Sequence, residues 1–155
     1  MNMIQFSVAT LADRPEILAL LNARGLGHGD LPPDSENLTF LAARTGGRLV
    51  GVVGLESHGQ NGLLRSLAVA ADHQRLGIGR ELCDRLLDLA QSRGVERLYL
   101  LTTTAEAFFI RMGFRRMARA AVPPEIQSTT QFAQACPAEA VCLTRDLKRE
   151  TDGKM

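Results

Sequence analysis

The chain has little cysteine: three residues in 155, Cys83, Cys136 and Cys142, an odd number with no C-x-x-C pair. A disulfide framework or a zinc site is therefore not expected, and a reducing cytoplasm is the natural setting. An excess of one charge is also missing. Eighteen Lys+Arg against seventeen Asp+Glu leave a formal net charge of +1, which speaks against a general nucleic-acid binder. No apolar run approaches the ~18–20 residues that a membrane span needs. Residues 1–10 lack the charged-then-apolar order of a signal peptide. Lysine is scarce too, with only Lys148 and Lys154 among the basic residues, a skew that genomic base composition explains as readily as function does.

What remains is ordinary globular material, 45% apolar and 23% charged. A chain of this length forms one domain and buries its own core without staples. The expected division is a domain over residues 1–147 and a polar tail over 148–155.

Alternation over residues 4–9 puts Ile4, Phe6 and Val8 on one face of a half-buried strand. Asp13 with Glu16 three residues on, and Pro15 between them, predicts a capping-box helix start. Ile17, Leu20, Leu21 and Arg24 then share a helical face, and Gly25 sits where a left-handed cap is wanted. Residues 25–33 read as loop. Apolar runs over 38–44 and 48–56 flank Thr45-Gly46-Gly47, a tight-hairpin signature. The run LLRSLAV (63–69) is a further strand. The clearest helix follows, with Ile78, Leu82, Leu86, Leu89 and Ala90 at helical spacing and Arg80, Glu81, Asp84, Arg85 and Asp88 opposite.

Gly94 ends that helix and RLYLLT (97–102) makes a buried strand. A shorter helix over 105–112 stops at Gly113. Residues 114–121 and 140–146 read as two final strands, with an amphipathic turn or two over 124–134 between them. A hairpin feeding a β-α-β unit requires a mixed sheet. The fold class is α/β (α+β), a single domain with helices on both faces.

The sharpest local feature is Gln74-Arg75-Leu76-Gly77-Ile78-Gly79-Arg80, set between a strand and a helix. Glycine lets a backbone approach a ligand closely. The first helical turn offers N–H groups without intrahelical partners and the positive end of the dipole. Together they suit an anionic group such as a pyrophosphate. A softened helix start with surface arginines is the plainer alternative. Neither G-x-G-x-x-G nor G-x-x-x-x-G-K-[ST] is present, so a dinucleotide fold and a P-loop are not indicated.

Q-x-x-G-x-G after a strand resembles the pyrophosphate-binding motif of the GNAT superfamily of N-acetyltransferases. LLRSLAV before it and A-x-x-F-F-x-x-x-G-F over 105–114 match other landmarks of that family, in order. The likeness runs from Phe6 to Leu147. It implies that the strand over 63–69 bulges and splays from the strand over 97–102, opening a V in the sheet that admits the coenzyme, with acetyl-CoA as co-substrate and no metal. Backbone groups of Leu67, Ala68 and Val69 would bond the pantetheine and polarise the thioester carbonyl, stabilising the developing oxyanion. N–H groups from Gln74, Arg75, Leu76, Gly77, Ile78, Gly79 and Arg80 would hold the phosphates. Thr102, Phe108, Phe109 and Arg111 would line the rest of the channel.

Many members of the family carry Tyr where this chain has Phe109, and use it to protonate the leaving thiolate. Phe cannot. Either a water or another hydroxyl serves, or none is needed, since a thiol of pKa ~8.5 leaves readily. Thr102, Thr103 and Thr104 are candidates to position that water, with Thr104 assigned to the catalytic set. Tyr99 lies inside a strand, where a core role is at least as natural. Glu56 is the candidate base, or a strand-end charge in solvent. His58 and His73 are alternatives, or solvated loop histidines. Arg65 lies within a strand between Leu64 and Leu67, where an unpaired charge is costly to bury. It is a candidate anchor for an acceptor's carboxylate, or one half of an internal ion pair with Glu56.

GVVGLE, LLRSLAV, RLYLLTTTA, FFxRMGF, AVPPEI and CPAEAVCLTRDL further resemble the arsenic-resistance N-acetyltransferases. More distantly they resemble the acetyltransferase domain of N-acetylglutamate synthases. Both imply an amino-acid acceptor with a carboxylate, and arsinothricin, a glutamate mimic, is a substrate of related enzymes. Cys136 and Cys142 invite an arsenic-binding reading, but buried free cysteine is commonly inert. The segment 124–134, with Ser128, Thr129, Thr130 and Gln131, is placed to be a lid or a dimer contact. The expectation is an acetyl-CoA-dependent N-acetyltransferase in the cytoplasm, monomeric or homodimeric, bound to neither nucleic acid nor membrane. A non-catalytic sensor of CoA or arsenic, or a protein or peptide N-acetyltransferase, are the alternatives.

Overall fold

Gly46 and Gly47 adopt φ values of 57° and 82°, the left-handed pair that a two-residue hairpin turn demands. They join strand β2 (Leu38–Thr45) to β3 (Arg48–His58). In the computed structural model, residues 3–26, 37–129, 132 and 139–147 are described. Strand β1 (Gln5–Val8) and helix α1 (Arg14–Ala23) come first. After the β2–β3 hairpin come β4 (Asn61–Val69), α2 (Ile78–Ser92), β5 (Arg97–Thr102) and α3 (Glu106–Arg111). Strand β6 (Arg115–Arg116), α4 (Pro124–Gln127) and β7 (Val141–Asp146) complete the order. The sheet has seven strands in the order β1-β2-β3-β4-β5-β7-β6. It is mixed, since β4 and β5 run parallel while β1–β2, β5–β7 and β6–β7 run antiparallel.

Contacts group into two compact units. The first holds the chain up to Leu55 together with Arg65–Leu86. Its core packs Ile17 and Leu21 of α1 against Leu38, Phe40 and Ala42 of β2, Leu49 and Val52 of β3, and Ala68 of β4. Fully burying a Leu, Ile, Val or Phe side chain contributes about 1.5–3 kcal/mol of transfer free energy, and alanine less. On β3, a Cβ built on Gly51 would come 2.9 Å from Ile78 and 3.0 Å from Leu82, so glycine is what lets α2 settle this close. The second unit holds Glu56–Leu64 and the chain from Leu87 on. Its core joins Leu63, Tyr99, Val122, Ile126, Phe132 and Cys142, and β5 pairs with β7 along its whole length.

Three local expectations are corrected. On β1, Ile4 and Phe6 are half-buried, but Val8 is 51% exposed, because the edge strand ends where the chain turns away toward Leu11. The capping box falls one turn early: Asp13 accepts from the Thr10 N–H at 2.8 Å around a 3-10 turn at Leu11–Asp13. Glu16, freed from capping, bonds Arg44 at 2.7 Å. The strand expected over 114–121 shrinks to two residues. After the Met117 N–H to Cys142 carbonyl bond the ladder stops, and Arg119–Ala121 forms a 3-10 turn ahead of Pro123 and Pro124. Parts of the loop over 25–33 and the segment over 124–134, including Thr130 and Gln131, lie outside the described residues, as do Cys136 and the tail over 148–155. No described helix is long and apolar enough to cross a membrane.

Candidate active site

In the first unit, β4 ends at Val69 and a 3-10 turn, Ala71–His73, leads into the glycine segment. Gln74 donates from Nε2 to the Val69 carbonyl at 3.4 Å. Arg75 has φ 67° and Gly77 φ 81°, while Leu76 between them stays out of the left-handed region. Such alternation of handedness turns successive N–H groups inward, making an anion-binding concavity. Nothing lies within 4 Å of a Cβ built on Gly77, so the backbone is open there. Gln74, Arg75, Leu76, Gly77 and Arg80 are exposed, Gly79 is half-buried, and Ile78 is buried as the anchor. Helix α2 begins at Ile78 and directs its dipole to the same place. Open backbone, positive φ and a helix start thus come together at the glycine segment. Its approach is braced by Asp72, which accepts from Arg48 at 2.8 and 3.2 Å and lies 2.9 Å from His73 Nδ1. Those bonds hold the Asp72 carboxyl far below the ordinary carboxylate range.

Upstream on β4, Ser66 takes φ 60°, a costly conformation for a non-glycine residue. The consequence is visible in the packing. Arg65 lies against Gly54, which also abuts the Phe40 ring, and Ala68 joins the same cluster as Phe40. Arg65 and Ala68 therefore share a face although they are three positions apart, which strict strand alternation forbids. Ser66 is the extra residue of a bulge. Leu67 and Val69 are left half-buried. Arg65 itself is 3% exposed and donates from Nε to Ser66 Oγ at 3.2 Å.

In the second unit, Glu56 Oε1 lies 3.1 Å from His58 Nε2, with side chains 12% and 21% exposed. Neither histidine considered from the sequence is a solvated loop residue. His58 ends a strand against Glu56, and His73 is held by Asp72. Across the β3–β4 turn, Asn61 Nδ2 donates to Glu125 Oε2 of α4 at 2.7 Å. Glu125 is held below its usual range by its own backbone N–H and Asn61, with His58 adding a smaller effect. Sequence reasoning did not single out Asn61 or Glu125. Glu56 and His58, two apart on a strand, share a face by alternation alone, so that pairing had a readable signal.

Thr102 Oγ1 accepts from the Ala105 N–H at 2.9 Å and so opens α3. Thr103 and Thr104 are exposed. Phe109 is 4% exposed, in edge contacts with Phe108 and Phe114 at centroid distances of 5.0 and 5.5 Å. Phe108 is half-buried and Arg111 exposed. Tyr99 is buried in the core. Cys142 is buried as well, and burial pushes its thiol up to about 11. Among the described residues no cluster of three or more His, Cys, Asp or Glu could hold a metal.

Glycine turn, bulged strand and mixed sheet together define the fold class, and comparison with known proteins gives its family. The sequence model of the Acetyltransferase (GNAT) family matches residues 16–114, and the chain belongs to that family. It is 32% identical over 108 residues, 65% of its length, to the Xenopus tropicalis protein named "Probable N-acetyltransferase camello", and spans about half (49%) of that relative. Among solved structures, N-acetylglutamate synthase from Neisseria gonorrhoeae, complexed with coenzyme A and N-acetyl-glutamate, superposes with a TM-score of 0.77 at 24% identity. That match covers 95% of this chain and 36% of that one. A GNAT-family acetyltransferase from Staphylococcus aureus superposes with a TM-score of 0.75 at 21% identity, covering 94% of this chain and all of that one.

Proposed function

We propose that the chain transfers an acetyl group from acetyl-CoA to the amine of a small amino acid or an amino-acid analogue held by its carboxylate. The observation that carries the acceptor class is Arg65. Its guanidinium, 3% exposed beside the positive-φ Ser66, is held within the strand layer, and its planar fork matches a carboxylate. An amino-acid acceptor also agrees with the N-acetyl-glutamate bound to the Neisseria protein of like fold. Within that class the acceptor is glutamate-like and of the arsenic-resistance type, with arsinothricin as the test compound. The setting is the cytoplasm.

Acetyl-CoA supplies an activated acetyl thioester. Backbone N–H groups from Arg75 to Arg80 hold its pyrophosphate, with Gln74 closing the turn. Leu67, Ala68 and Val69 offer backbone groups to the pantetheine and the thioester carbonyl. Thr102, Phe108, Phe109 and Arg111 line the remainder. The carboxylate of Glu56 provides the basic end of the site, where the acceptor's ammonium sheds one proton to become nucleophilic. The amine nitrogen then bonds the carbonyl carbon and the C–S bond breaks. A water positioned by Thr104 passes the amine's second proton to sulfur.

The test is titration with acetyl-CoA, followed by thiol release against the common amino acids, arsinothricin and phosphinothricin. Release driven by one glutamate-like acceptor is the expected result. Release driven only by amines without a carboxylate overturns the acceptor class. Absence of coenzyme binding overturns the role of the glycine turn.

A further inference from the structure

Glu56 has a partner that its proposed role leaves unused. Its Oε1 lies 3.1 Å from His58 Nε2, both side chains are largely withdrawn from water, and Glu125 on α4 stands near enough for charge on His58 to stabilise its ionised form. Asn61 fixes Glu125 in turn, at 2.7 Å. A carboxylate is a poor acceptor for an ammonium proton, whereas an imidazole, with its pKa about two units higher, is better matched to neutral pH.

We infer that His58 is the proton acceptor of this site, with Glu56 as its positioning residue and Glu125 as a second anionic neighbour. When Nε2–H of the neutral ring is donated to Glu56, the lone pair lies on Nδ1. The Nδ1 lone pair takes the ammonium proton, directly or through one water. The imidazolium so formed lies against Glu56 on its own strand, within electrostatic reach of Glu125, and it returns the proton to solvent after acetyl transfer. Glu56 then orients the ring and steadies its charge, as carboxylate–histidine pairs do in nucleophilic sites. The inference rests on the acetyltransferase reading.

The experiment pairs the pH profile of thiol release with an NMR titration of the His58 ring, the resonance being assigned by its loss in His58→Gln. In the unaltered protein kcat should rise with pH through the His58 midpoint. His58→Gln should lower kcat about a hundredfold, leave coenzyme affinity unchanged and abolish that rise. Glu56→Gln removes a negative neighbour from the imidazolium, so the kinetic rise and the NMR midpoint should both move to lower pH. Glu125→Gln should move them the same way by less. An unchanged rate and pH profile in His58→Gln overturns the inference. So does an NMR midpoint that Glu56→Gln does not move, a measurement that decides the matter even where His58→Gln fails to fold. Absence of thiol release from the unaltered protein with every acceptor would instead defeat the acetyltransferase reading, while the NMR arm still tests the pair.

Discussion

Gly54 and Arg65 face each other across the β3–β4 hairpin so closely that a Cβ on Gly54 would come 3.3 Å from Arg65 Cγ and 2.9 Å from Phe40 Cε1. The glycine makes room for a ring and for a charged side chain's aliphatic stem on one face. Gly54→Ala should overpack this spot and cost about 1–3 kcal/mol of stability, read by urea denaturation. Because Arg65 must shift, the acceptor's KM should also rise. An unchanged KM would detach Arg65 from acceptor binding.

Arg65→Ala should raise the acceptor's KM far more than that of acetyl-CoA. Arg65→Lys should recover little, since an ammonium cannot reproduce a two-pronged carboxylate contact. Equal effects on both substrates, measured by steady-state kinetics with each varied in turn, would make Arg65 purely structural.

Gly77, at φ 81° with open space around it, should not tolerate a β-branched side chain. Gly77→Val should abolish coenzyme binding in a calorimetric titration, by straining the turn and by filling the place where a phosphate would approach. Unchanged affinity would remove the turn from the coenzyme site.

Arg44 bonds Asp13 and Glu16, each at 2.7 Å. Asp13 is held below its ordinary range first by the Thr10 N–H and then by Arg44, and Glu16 chiefly by Arg44. Carboxyls depressed in the folded state stabilise above their unfolded pKa, about 4, and lose that contribution as pH falls through the folded values. Arg44→Gln should therefore be less stable than the unaltered protein at pH ~7, and the gap should close below pH ~4. A gap independent of pH would place the loss in packing.

Burial pushes the thiols of Cys142 and Cys83 up to about 11 and about 12. At pH ~8 both should resist a disulfide reagent in the folded protein and react at once after unfolding. Cys136→Ser and Cys142→Ser should retain turnover. A large loss of activity in either would return these residues to the site's chemistry.

The helical repeat of Ile78, Leu82, Leu86 and Ala90 and the Gly46-Gly47 turn were legible because both are set by local geometry. A helix has one period, and a tight hairpin needs positive φ at its centre. Gly25, at φ 71°, closes α1 with the Leu26 N–H bonded to the Leu21 carbonyl, and that too could be read locally. The glycine turn before α2 belongs with them. The strand expected over 114–121 was not decided locally, because a strand exists only as far as a partner's carbonyls follow it. Cys142 supplies the last of these to Met117.

The chain's own residue order thus determined its succession of strands and helices, its glycine turn and its family, each written in short-range pattern. The family resemblance implied a bulge somewhere over 63–69; the tertiary structure decided that it falls at Ser66, which no residue type announces and which puts Arg65 and Ala68 on one face. It also decided that Glu125, 67 residues beyond His58 in the sequence, stands near that ring. Strain at one serine and charge proximity across such a separation depend on how distant segments pack, and no local periodicity encodes them.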